Sequence, residues 1–331
     1  MGWKGTVRSI NAAAKRADRN AKKRQREIEK KQKQYAKMQE LEQAAYEVDV
    51  FENHIEIVQS MHKECGDEIN WHQISLSNEP IKPVFSNVLE QKATQLKEAY
   101  KPSFIDKLFK RVDSKLSALN LAIESAKQKD SNNYEASLKT WEQECEDWAD
   151  SVEQAKKVLA GSPEAKIEVI KEMSPFSELD ALGSSLHLSI SDTSLVTVNV
   201  HIHGEDIIPS EQKSLLKSGK LSVKKMPVGK FNEIYQDYVC SSVLRVAREL
   251  FAILPDEFVV INATDKLLNK ATGHLEESNV LSVYISRATL EGINMEAIDP
   301  SDCMKNFIHN MSFKKTKGFE AVETVDVEAV A

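Results

Sequence analysis

The sequence predicts an α+β protein: an N-terminal region of long helices, arranged as a coiled coil or antiparallel helical hairpin, then a small α+β domain whose mainly antiparallel sheet packs on one long helix. Three patterns predict it. Between Lys230 and Leu254, Phe231, Ile234, Tyr235, Tyr238, Val239, Val243, Val246, Ala247, Leu250, Phe251 and Leu254 recur in steps of three and four, which stacks them on one helical face. Leu186, Leu188 and Ile190, then Val196, Val198, Val200 and Ile202, alternate with other residues around an SDTS turn, the period of a hairpin with one buried face. Tyr134, Leu138, Trp141, Cys145, Trp148, Val152, Ala155 and Leu159 form a heptad seam over more than three heptads.

Taken in order, residues from about Thr6 to Cys65 contain no Pro, and no Gly lies between Gly5 and Gly66. Strong helix formers dominate, so one long helix is predicted. Its apolar stripe is poor before Met38 and good from there, through Leu41, Ala45, Val48, Phe51, Ile55, Val58 and Met61. The second half should pack and the first half protrude.

Residues 66–83 read as a connection, with Asn78, Pro80 and Pro83 as breakers. A helix follows from near Val84 to before Pro102, and another over 103–129 carries Ile105, Leu108, Val112, Leu116, Leu119, Ile123 and Ala126. Asp130-Ser131-Asn132-Asn133 reads as a turn, so helices 103–129 and 134–160 are predicted to form an antiparallel hairpin. A coiled coil between copies would fill the same seam. In the C-terminal domain, short strands are expected at Lys220–Met226, Phe258–Ala263 and Val280–Ser286. Helices are expected near Ala288–Ile293 and Pro300–Met311, the latter capped by Asp299 or Ser301. The predicted divisions are a basic arm (1–37), a helical coiled-coil region (38–173), an α+β domain (174–313) and a mobile tail (314–331).

Charge is unevenly spread. Residues 1–37 hold thirteen Lys and Arg against three acids, a local +10, so the remainder carries −17 to reach the net −7. Lys15, Arg16, Arg19, Lys22, Lys23, Arg24, Arg26, Lys30 and Lys31 surround a helix with little apolar face, the composition of a surface that binds a polyanion by counterion release. No aromatic residue is interleaved after Trp3 until Tyr35, so nucleic-acid contact would be to phosphate and not through base stacking. An acidic protein surface is the alternative ligand, and helix 134–160 offers one in Glu135, Glu142, Glu144, Glu146, Asp147, Asp150 and Glu153.

Other chemistry is thinner. Met1-Gly2-Trp3-Lys4-Gly5-Thr6 matches the loose N-myristoylation pattern, but a bulky Trp follows Gly2, and a membrane partner is not expected. His187, His201 and His203, with Glu205 and Asp206 close by, are the most metal-like group, although solvent-facing histidines are the favoured reading of HxH on a half-exposed strand. Arg245, Arg248 and Glu249 are spaced for local ion pairs. Glu211-Gln212-Lys213 echoes an acid-x-Lys nuclease signature but follows Pro209 in a helix-like stretch. No phosphate-binding glycine loop, nucleophile elbow or HExxH is present. Cys65, Cys145, Cys240 and Cys303 are scattered, as for free thiols in a reducing cytoplasm.

These readings point to a non-enzymatic coiled-coil interaction or scaffold protein with a C-terminal partner-recognition domain and a basic helix for a polyanion or acidic surface. Its partners would be another protein, a second copy, or nucleic acid through phosphates. The alternative is a metal-dependent hydrolase or nuclease with its site on the polar face of the 186–203 hairpin. No cofactor, resident metal or small-molecule substrate is signalled.

Overall fold

The computed structural model describes residues 40–104, 108–173, 185–190 and 195–327. The basic arm, including Lys15, Arg16, Arg19, Lys22, Lys23, Arg24, Arg26, Lys30 and Lys31, lies outside these residues, as do Ile105 and the SDTS turn.

In chain order the elements are α1 (Glu40–Ser60) with a 3-10 turn (Met61–Lys63), α2 (Trp71–Ser75), α3 (Val88–Glu98), α4 (Val112–Leu159), α5 (Pro163–Met173), β1 (Ser185–Ile190) and β2 (Val196–His201). Then come α6 (Gly204–Ile207), β3 (Glu211–Leu215), β4 (Leu221–Lys225), α7 (Val228–Ile253), β5 (Phe258–Leu268) and β6 (Leu275–Ser286). The chain closes with α8 (Arg287–Glu291), α9 (Pro300–Cys303), a 3-10 turn (Met304–Asn306), β7 (Ile308–Lys314) and β8 (Gly318–Glu320). The elements fall into two compact units. One spans residues 72–155; the other joins the described residues up to Trp71 to those from Lys156 onward.

In the second unit α7 is the central rod. Its expected apolar face is buried except for the half-buried Phe231, and so are Ser241, Ser242, Leu244 and Glu249 around the cylinder. Two layers explain the breadth: β5 and β6 lie on one side, α1 and its 3-10 turn on another. Each fully buried Leu or Val on such a rod contributes about 1.5–3 kcal/mol. Ala44, Val48, Phe51, Val58 and Met61 supply the α1 side of this core. The improved stripe from Met38 therefore belongs with the α+β elements, and not with a separate helical region as the division at residue 174 supposed.

The sheet has six strands in the order β1-β2-β5-β6-β7-β8. β1 and β2 pair antiparallel with Leu188 opposite Val198, and Val196, Val198 and Val200 are buried. β2 and β5 run parallel, which requires the long crossover that α7 provides. The remaining neighbours are antiparallel. β5 and β6 extend well past the apolar runs that mark them, as a hairpin closed where Asn269 Oδ1 accepts from Ala271 and Thr272 and Gly273 takes φ 73°. Two further expectations are corrected. Residues 300–311 are helical only to Asn306, and Ile308–Lys314 is a strand. The tail expected to be mobile from Lys314 instead completes β7, forms β8 and buries Val325. Asp299 does cap α9, accepting from Ser301 and Asp302 N–H at 2.9 Å each.

In the first unit the predicted hairpin is absent. Residues 112–159 form one continuous 48-residue helix, about 72 Å long at 1.5 Å per residue. The supposed turn stays helical because Asp130 finds a tertiary role: its carboxylate accepts from the N–H groups of Leu89 (3.3 Å) and Glu90 (2.8 Å), capping the free amides at the start of α3. The heptad seam is not filled by a helix either. An extended segment lies along it, with Trp141 Nε1 donating to Pro80 O at 2.9 Å, Trp148 Nε1 to Ser77 O at 3.1 Å, and Phe85 edge-on to Tyr134.

Candidate recognition face of the sheet

The face of the sheet that carries Val198, Ile261 and Val283 packs inward on α7. Side chains on the opposite face begin, at mid-sheet, with polar residues in direct register. Asn199 stands opposite Asn262, Asn262 opposite Ser282, and Ser282 opposite Asn310. The row is joined by hydrogen bonds: Asn262 Nδ2 donates to Asn199 Oδ1 at 2.9 Å, and Ser282 Oγ to Asn262 Oδ1 at 2.6 Å. His187 shares the register on β1, opposite Asn199. Asn262 and Ser282 are buried polar groups, yet each is satisfied, as burial demands.

Residues 321–327 run over this row. Val325 N–H donates to Ser282 Oγ at 2.8 Å, Asn310 Nδ2 to the carbonyls of Glu323 (3.0 Å) and Thr324 (3.3 Å), and Val322 N–H to Asn279 O at 2.9 Å. The next row, toward the start of β5, is aromatic and apolar. Phe258 and Tyr284 stack with centroids 5.1 Å apart, and Ile308, opposite Tyr284, is half exposed. Partial burial pushes the Tyr284 phenol up. In the sequence the row leaves only two separate traces: Asn262 interrupts the apolar run FVVINA and Ser282 interrupts VLSVYI.

The histidines divide. His201 closes β2, with Nδ1 2.5 Å from Glu277 Oε1 and 3.0 Å from Thr264 Oγ1. His203 lies beyond the strand, as the residue before α6, so the pair does not share a strand face as expected. Among the described residues no three His, Cys, Asp or Glu side chains gather as metal ligands. Glu211-Gln212-Lys213 is in strand β3, not in a helix, and Lys213 pairs with Glu47 at 2.9 Å.

The polar residues of α7 hold the strap between α1 and α2. Arg245 pairs with Glu249 at 2.7 Å, Glu249 accepts the Gly66 N–H at 3.1 Å, and Arg248 donates to the carbonyls of His62 and Glu64. Ser241 Oγ accepts the His62 N–H at 3.0 Å and lies 2.9 Å from its Nδ1. Burial, then the charge of Lys63, lowers the His62 pKa from 6.5. Cys240 is buried and its thiol is pushed well above 9.0 by desolvation, which suits a core residue and not a nucleophile. Burial also raises the Asp237 carboxyl, which accepts from Gln59 Nε2 at 2.6 Å.

Among the described residues of 72–150, Asp130 is the only buried side chain, while Leu76, Ile81, Val84, Leu96, Phe104, Leu108, Phe109 and Leu121 are exposed. No helix among the described residues is long and apolar enough to cross a membrane. No protein-family model, curated protein or solved structure matches this chain.

Proposed function

We propose that this is a non-enzymatic interaction protein, a scaffold that associates through α4 and recognises partners through its α+β domain. The supporting observation is the surface of residues 72–150. A soluble chain gains most of its stability by removing apolar area from water, yet this stretch leaves Leu96, Phe104, Leu108 and Leu121 more than 60% exposed. A second copy fits that surface. Residues 92–111 hold six Lys and Arg against two acids, whereas residues 134–153 hold seven acids and one Lys. Pairing two copies with their α4 helices antiparallel sets the basic stretch that precedes α4 in one against the acidic stretch of α4 in the other. In this reading the basic arm, Lys15 to Lys31 above all, adds a further contact to a polyanion or an acidic protein surface, and the protein acts in the cytoplasm.

Light scattering of the eluting full chain tests the association. The expected mass is that of a dimer or higher oligomer, reduced to the monomer by Leu121→Asp without loss of the α7 core's thermal transition. A monomer at all concentrations would overturn it. The alternative, a metal-dependent hydrolase or nuclease centred on His201 and His203, has no comparable support among the described residues.

A further inference from the structure

We propose that the row Asn199–Asn262–Ser282–Asn310 is a binding track for an extended polypeptide segment, and that it takes the C-terminal segment of a second copy of this chain in exchange for its own. The described contacts already display the ligand chemistry. Ser282 accepts a main-chain N–H and Asn310 donates to two main-chain carbonyls, so the track reads backbone groups at adjoining residues of the segment. Val322 N–H meets Asn279 O and Val325 N–H meets Ser282 Oγ, so three residues of segment advance with three residues of β6. That matched step is the signature of an extended chain running in the β6 direction. One branched side chain, Val325, is the buried anchor, while Glu323, Thr324 and Asp326 face outward. A side-chain amide and a hydroxyl that bind main chain, beside one buried side chain, are the elements of peptide recognition of the β type.

The described contacts of the segment in cis include four hydrogen bonds and one buried valine. A terminal segment lying over a sheet opens without unfolding the strands beneath it. An identical segment from another copy makes identical contacts, the low-barrier route to exchange between protomers. The row extends beyond the described contacts of the segment to Asn199 on β2, whose Oδ1 accepts from Asn262. This inference concerns the sheet and does not depend on association through α4.

Asn310 and Thr324 adjoin across the track, so cysteine pairing reports occupancy. In full-length chains, Asn310→Cys and Thr324→Cys are prepared singly and together, and oxidised under mild conditions. Mixed single variants are expected to yield a disulfide-linked dimer on non-reducing gels. Adding excess peptide of residues 318–331 is expected to reduce that dimer several-fold, whereas the same peptide with Val325→Asp leaves it unchanged. Repeating the mixture with Leu121→Asp in both chains separates the two associations, since tail exchange should persist without the α4 contact. The proposal is overturned if the double variant links within one chain while the mixed singles stay monomeric, which makes the segment a fixed strap. It is equally overturned if the wild-type and Val325→Asp peptides compete alike. Chains carrying the four wild-type cysteines and neither substitution give the background from the exposed Cys65 and half-buried Cys145.

Discussion

Ser282 and Asn262 stand opposite each other on β6 and β5, and the Ser282 hydroxyl donates to Asn262 Oδ1 at 2.6 Å while accepting the N–H of Val325. One buried hydroxyl thus ties the sheet to the chain's final described stretch. The bond fixes which way the Asn262 amide faces, and its Nδ2 is left to donate to Asn199.

Replacing Asn262 with Leu leaves Ser282 without its acceptor in a dry setting and removes the partner of Asn199. A loss of about 1–3 kcal/mol is expected for a stranded buried polar group. Urea denaturation should show a lower midpoint. The exposed substitution Lys305→Ala, at a surface pair with Asp302, should leave the midpoint nearly unchanged.

The Arg245–Glu249 pair sits almost wholly out of water, with 11% and 5% of the side chains exposed. Arg245→Ala is expected to cost about 3–5 kcal/mol, because a buried carboxylate loses its cation. Pairing Arg245→Ala with Glu249→Ala should recover part of that loss. A double-mutant cycle by thermal unfolding gives the coupling.

Burial lowers the His62 pKa below 6.5, so the unfolded chain binds this proton more readily than the folded one. Its contribution is therefore intact above pH 6.5 and is lost as pH falls through 6.5 toward the folded value. His62→Asn, which keeps a side-chain acceptor near Ser241, should flatten that part of the stability–pH curve. The raised pKa of Asp237 acts in the opposite sense at lower pH, weakening the native state as pH rises through the folded value.

Trp148 is tied to Ser77 by its indole N–H, which lies 3.1 Å from the carbonyl and 3.0 Å from Oγ. Trp148→Phe keeps an aromatic ring but removes both bonds. The extended segment should then loosen, seen as faster chymotrypsin cleavage after Phe85. α4 helicity by circular dichroism should hardly change.

Some of this architecture was legible in the residues and some was not, for identifiable reasons. The rod at 228–253 follows from period alone, and so does the shared face of Leu188 and Val198, since apolar spacing states which face must be dry. The partner of that face is not written in it. Hence the stripe of α1 gave no sign that it packs on α7, and the seam of α4 gave none that an extended segment fills it. Asp130 looked like a turn former because the amides it caps lie 40 residues away. The parallel β2–β5 pairing depends on a crossover of comparable reach. At the recognition face, Asn199, Asn262, Ser282 and Asn310 are each unremarkable alone, and only the strand order brings them into line.

The most direct test of association through α4 is hydrogen–deuterium exchange of residues 112–150 in the full chain across a hundredfold range of protein concentration. Association predicts slower amide exchange along this stretch as concentration rises, while α7 stays equally protected throughout. Exchange in 112–150 that is the same at every concentration would contradict it.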